Sequence, residues 1–118
     1  MRSISVGAHP TAGSSNTLYT VPTGYYAEWN LSYIFNNTGS TKTFTLEWYD
    51  ASAAATYTIY SASVSSKEYV KFDGGAYVVL EEGDQVKCTP ESGSTFTIIC
   101  TFKERGLVYE EGLMAASS

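Results

Sequence analysis

Hydrophobic and polar residues alternate strictly along residues 26–35 of this chain. One parity carries the apolar residues Ala27, Trp29, Leu31, Tyr33 and Phe35, and the other carries Glu28, Asn30 and Ser32. This alternation is typical of a β-strand that turns one face to a core and the other to water. We therefore expect the apolar set to lie on one buried face.

Similar strand-like segments recur along the rest of the chain, separated by turns rich in Gly, Ser, Asn and Thr. They cover residues 17–21, 42–50, 57–60, 68–72, 76–80, 85–89 and 95–103. The turn at Asn37-Thr38-Gly39 predicts a hairpin between residues 26–35 and 42–50, with Trp29 and Trp48 on its buried face.

The spacing of these segments predicts an all-β fold, a single antiparallel β-sandwich of jelly-roll type with about eight strands. No helical pattern lies between the strands, which disfavours an α/β fold. A chain of 118 residues has the size of one domain. We expect the sandwich to span residues 17–103, with an N-terminal arm at residues 1–16 and a C-terminal arm at residues 104–118.

Charge and hydropathy narrow the classes of partner. Twelve acidic residues against seven basic residues give a net charge of −5. This balance argues against a nucleic-acid surface and against charge-driven docking on anionic membranes. No segment approaches the length of a membrane-spanning helix, and the N-terminus lacks the apolar stretch of a signal peptide. We expect neither nucleic acid nor a membrane as partner.

The two cysteines share their parity with apolar neighbours, so both are expected to point inward. A loop at residues 92–94 would place Cys88 opposite Ile98 and Cys100 opposite Val86 in one hairpin. The thiols would then be diagonal neighbours, beyond normal disulfide reach. We therefore predict two buried, reduced and unreactive thiols, with a disulfide as the alternative.

The remaining candidates for chemistry are sparse. His9 is the only histidine, and no nucleophile motif accompanies it, so we expect a surface residue rather than a catalytic one. The acidic turn at residues 81–84 is the best candidate for binding calcium, but its spacing does not match an EF-hand and charged turns are usually solvated. We expect no catalytic residue, no metal and no cofactor, and hence no enzyme.

Ten tyrosines suggest a second line of interpretation. Tyr25 and Tyr26 lie at a predicted turn, and we expect some of the rings of Tyr49, Tyr57, Tyr60 and Tyr69 to point outward. Outward rings could stack on sugars or contact another subunit, whereas the β-propensity of tyrosine alone also explains the enrichment.

The end of the chain differs from the rest because apolar residues follow the last predicted strand. They are Leu107, Val108, Tyr109, Leu113 and Met114. A terminal segment normally frays unless something holds it. Our hypothesis is that these residues contact a neighbouring subunit, and the alternative is that they fold back on their own domain.

Two motifs resemble those of a known group of proteins. Residues 18–24 read LYTVPTG and lead through the aromatic segment into the NNTGS turn, and residues 79–86 read VLEEGDQV. In this order they resemble small β-sandwich virion proteins of tailed bacteriophages, which include capsid decoration or cement proteins and modules of tail fibres. The resemblance covers residues 17–103.

The resemblance implies a non-enzymatic virion structural protein, made in the host bacterial cytoplasm, that decorates or cements the phage head. It implies the phage major capsid protein or other virion proteins as partners, and a homo-oligomer, with a trimer favoured by analogy. Two alternatives stay open: a tail or fibre module that binds a host glycan or protein receptor, and a carbohydrate-binding β-sandwich outside any virion.

Overall fold

The computed structural model describes residues 2–72 and 78–106. These residues form nine strands: β1 (Arg2–Ala8), β2 (Asn16–Thr20), β3 (Tyr25–Asn36), β4 (Lys42–Asp50), β5 (Ala55–Val64), β6 (Tyr69–Phe72), β7 (Val78–Leu80), β8 (Gln85–Pro90) and β9 (Phe96–Gly106). Within the same residues there is no helix that could cross a membrane.

The strands form two antiparallel sheets that pack face to face. Sheet A has the order β1-β9-β3-β6, and β7 pairs with β3 on the same side as β6; sheet B has the order β2-β8-β4-β5. Apart from the β4–β5 and β6–β7 connections, each connection crosses from one sheet to the other. This is a β-sandwich of jelly-roll type, and the predicted fold class is confirmed.

The predicted hairpin between β3 and β4 is wrong, because these strands lie in different sheets. Asn36, which is fully buried, explains the crossing. Its amide nitrogen donates to the carbonyl oxygens of Ser40 and Val64 at 3.0 and 2.8 Å, and its Oδ1 accepts from the Thr38 backbone N–H at 2.8 Å. These bonds fix a local turn and tie it to the end of β5, so the chain passes into sheet B.

The expected single buried face of residues 26–35 is also wrong beyond Trp29. The register of β3 against β9 shifts between Trp29 and Leu31, as a β-bulge does, and the shift reverses which side chains face the core. Ser32 and Ile34 are therefore buried, while Tyr33 lies half-buried on the outer face. Leu31 and Phe35, also assigned to the core from sequence, are half-buried as well.

The terminal segments differ from the predicted arms. Residues 2–8 form β1, which pairs with β9 from Arg2 opposite Glu104 to Ala8 opposite Ile98. Ile4, Val6 and Ala8 pack against the core, and this burial holds the strand in the sheet. At the other end, β9 continues to Gly106, so residues 104–106 belong to the sandwich as well.

The core fills the space between the two sheets. Phe44 of sheet B and Phe96 of sheet A meet with ring centroids 4.8 Å apart, and Tyr19 of sheet B stacks on Phe102 of sheet A at 4.1 Å. These contacts between the sheets hold the two layers together.

Candidate functional site: the open edge of the sandwich

The pairing of strand β3 has a gap among the described residues. β6 pairs with residues 32–35 of β3 and β7 pairs with residues 27–29, so residues 30–31 have no partner on that side among the described strands. The β3 bulge lies at the same place. A cleft of about 310 Å³ opens there between the two sheets. It is lined by Trp29, Asn30, Leu31, Ser32, Leu46, Ile59, Tyr60, Phe72 and Val78.

The cleft is apolar, and none of the described residues that line it is charged. Two of its polar groups bond to neighbours within the protein. The Trp29 indole N–H donates to the Ser32 hydroxyl at 2.8 Å, and that hydroxyl lies 3.4 Å from the Cys100 sulfur. A cleft with this apolar lining can bind apolar side chains of a partner. It offers few polar groups that could orient a substrate for a reaction.

Strand β5 borders the cleft and forms one edge of sheet B. Among the described strands it pairs with β4 only. Its ten residues include no charge and no proline, which are two of the features that protect an edge from pairing. Tyr57 is 49% exposed and Ile59 is 45% exposed. We call β5 together with the cleft the open edge.

Two rings mark the boundary of the open edge. Tyr60 of β5 and Phe72 of β6 lie 4.9 Å apart at an interplanar angle of 66°, so they form an edge-to-face contact from one sheet to the other. A register shift in the β4–β5 ladder leaves Ile59 without a partner between Thr58 and Tyr60. Both Ile59 and Tyr60 consequently line the cleft.

The cysteines lie in opposite sheets, which corrects the predicted hairpin between them. Cys88 in β8 pairs with Asn16 and Leu46, whereas Cys100 in β9 pairs with Val6 and Ser32. Both point inward, as predicted, and both are buried free thiols. Burial raises the pKa of Cys88 to about 12 and that of Cys100 to about 11, so neither is a ready nucleophile.

The acidic turn at residues 81–84 is organised around a buried side chain. Asp84 accepts the backbone N–H groups of Ala51 and Glu81 at 2.9 Å each and the Trp48 indole N–H at 3.4 Å. Its carboxylate therefore bonds to donors of the protein itself. Among residues 2–72 and 78–106, no three His, Cys, Asp or Glu side chains are placed to hold a metal ion.

His9 is exposed, as predicted, with its Nδ1 atom 3.4 Å from the Thr97 hydroxyl.

The exposed tyrosines do not share one surface. Tyr69 is 57% exposed and stacks on Tyr33, on the outer face of sheet A. Tyr57 stacks on Trp48, which faces the inner side of sheet B. Tyr49 lies beneath the ammonium of Lys87, at 5.6 Å from the ring centre. The remaining candidates, Tyr25, Tyr26 and Tyr60, are half-buried.

The predicted contact residues of the C-terminal segment lie outside the described residues, so their role stays a prediction. They are Leu107, Val108, Tyr109, Leu113 and Met114. Conversely, the sequence pattern does not predict the open edge. The uncharged run at residues 55–64 is the signal that points to it, but the alternation predicts a strand only at residues 57–60.

Comparison with known proteins gives the fold and no family. No protein-family model matches this sequence, and no curated protein matches it either.

Solved structures of similar shape come from several kinds of protein. A Bacillus endospore appendage protein, described as forming a novel family of disulfide-linked pili, is 14% identical with a TM-score of 0.56, over 90% of this chain and 86% of that one. The globular domain of zebrafish complement 1qA protein is 16% identical with a TM-score of 0.46, over 86% and 94%.

A third structure contains the CBM22-1 and GH10 modules of xylanase 10B from Clostridium thermocellum. It is 16% identical with a TM-score of 0.47, and the match covers 83% of this chain but 20% of that one. The likeness to the endospore appendage protein, whose TM-score exceeds 0.5, shows a shared β-sandwich architecture.

Proposed function

We propose that this protein is a non-enzymatic structural subunit that binds into a larger assembly through its open edge. The observation that carries this proposal is the combination of an uncharged edge strand with an apolar cleft beside it. An exposed edge offers backbone N–H and C=O groups to a strand of a partner, and pockets beside it receive the side chains of that strand.

The titratable groups give less support to catalysis. Both thiols are buried with raised pKa values, His9 is a lone exposed histidine, and the buried Asp84 carboxylate is bonded to the protein's own N–H groups. A catalytic site normally brings a nucleophile and a base within hydrogen-bond reach in a pocket. The described residues bring no such pair to the cleft.

The likeness to a pilus-forming protein supports the use of this sandwich as a building block. The means of linkage would differ. That protein forms disulfide-linked pili, whereas Cys88 and Cys100 here are in the core and out of reach of another subunit. Association of this chain would therefore rest on strand pairing and apolar contact.

The setting we propose is the surface of a phage head, on the basis of the motifs at residues 18–24 and 79–86. A cement protein must be stable, soluble and adhesive at selected edges. The acidic chain with a ten-residue uncharged edge strand meets these requirements, because like charge elsewhere limits indiscriminate association.

Co-sedimentation with heads assembled without the protein tests the proposal. Full-length chain should bind saturably and raise the temperature at which the heads disassemble, since it binds the assembled state. Ile59→Ser should weaken binding because it removes an apolar group from the open edge. The matched control is Val79→Ser, which alters a similarly exposed aliphatic residue (50%) that does not line the cleft.

Absence of binding by the full-length chain would contradict the capsid role. Binding to host cells or glycans, lost on substitution of Tyr69 but not of Ile59, would instead favour the receptor-binding alternative.

A further inference from the structure

The sequence of β5 is symmetric about its own centre. Residues 56–63 read Thr-Tyr-Thr-Ile-Tyr-Ser-Ala-Ser, so that hydroxyl and apolar residues occur in the same order from both ends. The pattern has its centre between Ile59 and Tyr60, where the β4–β5 register shifts.

The two halves of β5 also match in the direction of their side chains. Tyr57 and Ala62 lie opposite Trp48 and Phe44, which face the core side of sheet B. The hydroxyl residues point to the outer face, and Ser61 there lies 3.0 Å from the Thr45 hydroxyl. The bulge adds one residue at the centre of β5 and so reverses the alternation of faces there. Positions at equal distances from the centre therefore point to the same face of the sheet.

We propose that two copies of this chain pair through β5, antiparallel about a two-fold axis between Ile59 and Tyr60. Positions whose numbers sum to 119 then lie opposite each other. Thr58 faces Ser61 of the second copy and Thr56 faces Ser63 on the outer side. On the inner side, Tyr57 faces Ala62, a large residue against a small one.

Such pairing joins the two B sheets into one continuous sheet with β5 beside β5. It removes Tyr57 and Ile59, the most exposed large apolar residues of the strand, from water. Each chain carries a net charge of −5, yet β5 contains no charge, so no like charges meet at the contact.

We name a second copy of this chain as the partner of β5 because a two-fold contact forms only between self-complementary surfaces. The symmetry of residues 56–63 meets this requirement directly. A head-to-tail contact, as a three-fold ring needs, would gain nothing from it. The inference deepens the proposed function by naming what binds β5, and it rests on the open edge being a contact surface.

Light scattering after size-exclusion chromatography of the full-length chain tests the pairing. The wild-type chain should elute with the mass of a dimer. Thr58→Lys/Ser61→Lys places two lysines opposite two lysines and should weaken dimerisation about tenfold or more. Thr58→Lys/Ser61→Glu places lysines opposite glutamates at the same positions and should restore the dimer.

Ser3→Lys/Ser5→Lys is the matched control, since it adds the same charge to exposed positions of the edge strand β1. It should leave the dimer intact, and circular dichroism should show that all variants fold. A wild-type monomer at every concentration tested would overturn the inference. So would an oligomer that Thr58→Lys/Ser61→Lys leaves unchanged.

Dimerisation is measured without phage heads, so the two proposals can fail separately. A dimer that does not bind heads supports the pairing and contradicts the capsid role. A monomer that binds heads does the reverse.

Discussion

At the scale of single residues, the buried carboxylate of Glu104 joins three strands. It is 2% exposed, accepts a bond from Arg2 Nε at 2.8 Å, and accepts another from the Tyr19 hydroxyl. Burial first, and then the bond to Glu104, raise the pKa of Tyr19 above its ordinary value. The Glu104 carboxylate therefore links β1 and β9 of sheet A to β2 of sheet B.

We predict that Glu104→Ala lowers the free energy of unfolding by about 2–3 kcal/mol, because it leaves the buried Tyr19 hydroxyl without its acceptor and creates a void. Urea unfolding followed by tryptophan fluorescence measures the change. The control is Lys103→Ala on the same strand, whose exposed side chain should matter by less than about 0.5 kcal/mol. Equal effects would show that the network adds no stability.

The buried thiols make stability depend on alkaline pH. Their pKa values are raised from 9.0 to about 12 for Cys88 and to about 11 for Cys100, chiefly by burial. A raised pKa favours the neutral thiol in the fold, so this contribution is intact below the unfolded pKa and is lost as pH rises towards the folded values.

We predict that the wild-type chain loses stability faster than Cys88→Ala/Cys100→Ala as pH rises above about 9, by up to about 1.4 kcal/mol per pH unit for each thiol. Urea unfolding at a series of pH values gives both slopes. Tyr19 is present in both proteins, so the difference between their two slopes reports the contribution of the cysteines alone. Parallel slopes would mean that the thiols ionise without opening the fold.

At the scale of elements, the alternation of apolar and polar residues predicts where the strands lie, but it does not predict which strands pair. The sequence places β4 and β8 within about a residue at each end, because their inner faces read apolar at every second position. Strand pairing depends on contacts far apart in sequence, such as the bond from Asn36 to the carbonyl oxygen of Val64. A turn motif alone favours the local hairpin, and here that is wrong.

The open edge cannot be predicted from the sequence for a similar reason. The bulge in β3 arises from its register against β9, and no single residue of β3 indicates it. Without the bulge, Leu31 and Tyr33 would be assigned to the core and the cleft would not be expected. The lack of charge in β5 was readable, but it marks an edge only once the sheet order is known.

The turn between β7 and β8 provides a test at this scale. We predict that Asp84→Ala costs about 2–3 kcal/mol of unfolding free energy, because the part-buried N–H groups of Ala51 and Glu81 lose their acceptor and the buried Asp84 side chain leaves a void. Glu81→Ala keeps the backbone donor and removes an exposed carboxylate, so it should change stability by less than about 0.5 kcal/mol.

Thermal unfolding with calcium and with chelator completes the comparison. Equal melting temperatures in both are expected for a turn held by its own bonds. A rise in melting temperature with calcium, abolished by Asp84→Ala, would make the turn a cation site after all.

At the scale of the whole molecule, the first strand pairs with the last one described. β1 covers one edge of β9, and Ile4 and Val6 add apolar contacts to the core. The two ends of the described chain must therefore meet before sheet A is complete. Pairing over such a separation is typical of slowly folding β-sandwiches.

Deleting residues 2–8 distinguishes an N-terminal arm from a structural strand. The loss of the core contacts of Ile4, Val6 and Ala8 and of the Arg2–Glu104 pair should lower the free energy of unfolding by about 4 kcal/mol or more and expose the edge of β9 to association. Urea unfolding and size-exclusion chromatography measure both effects. Deleting residues 107–118 removes no described strand and is the matched control. An unchanged unfolding midpoint after the first deletion would return residues 2–8 to the role of an arm, available for contacts with a partner instead of the core.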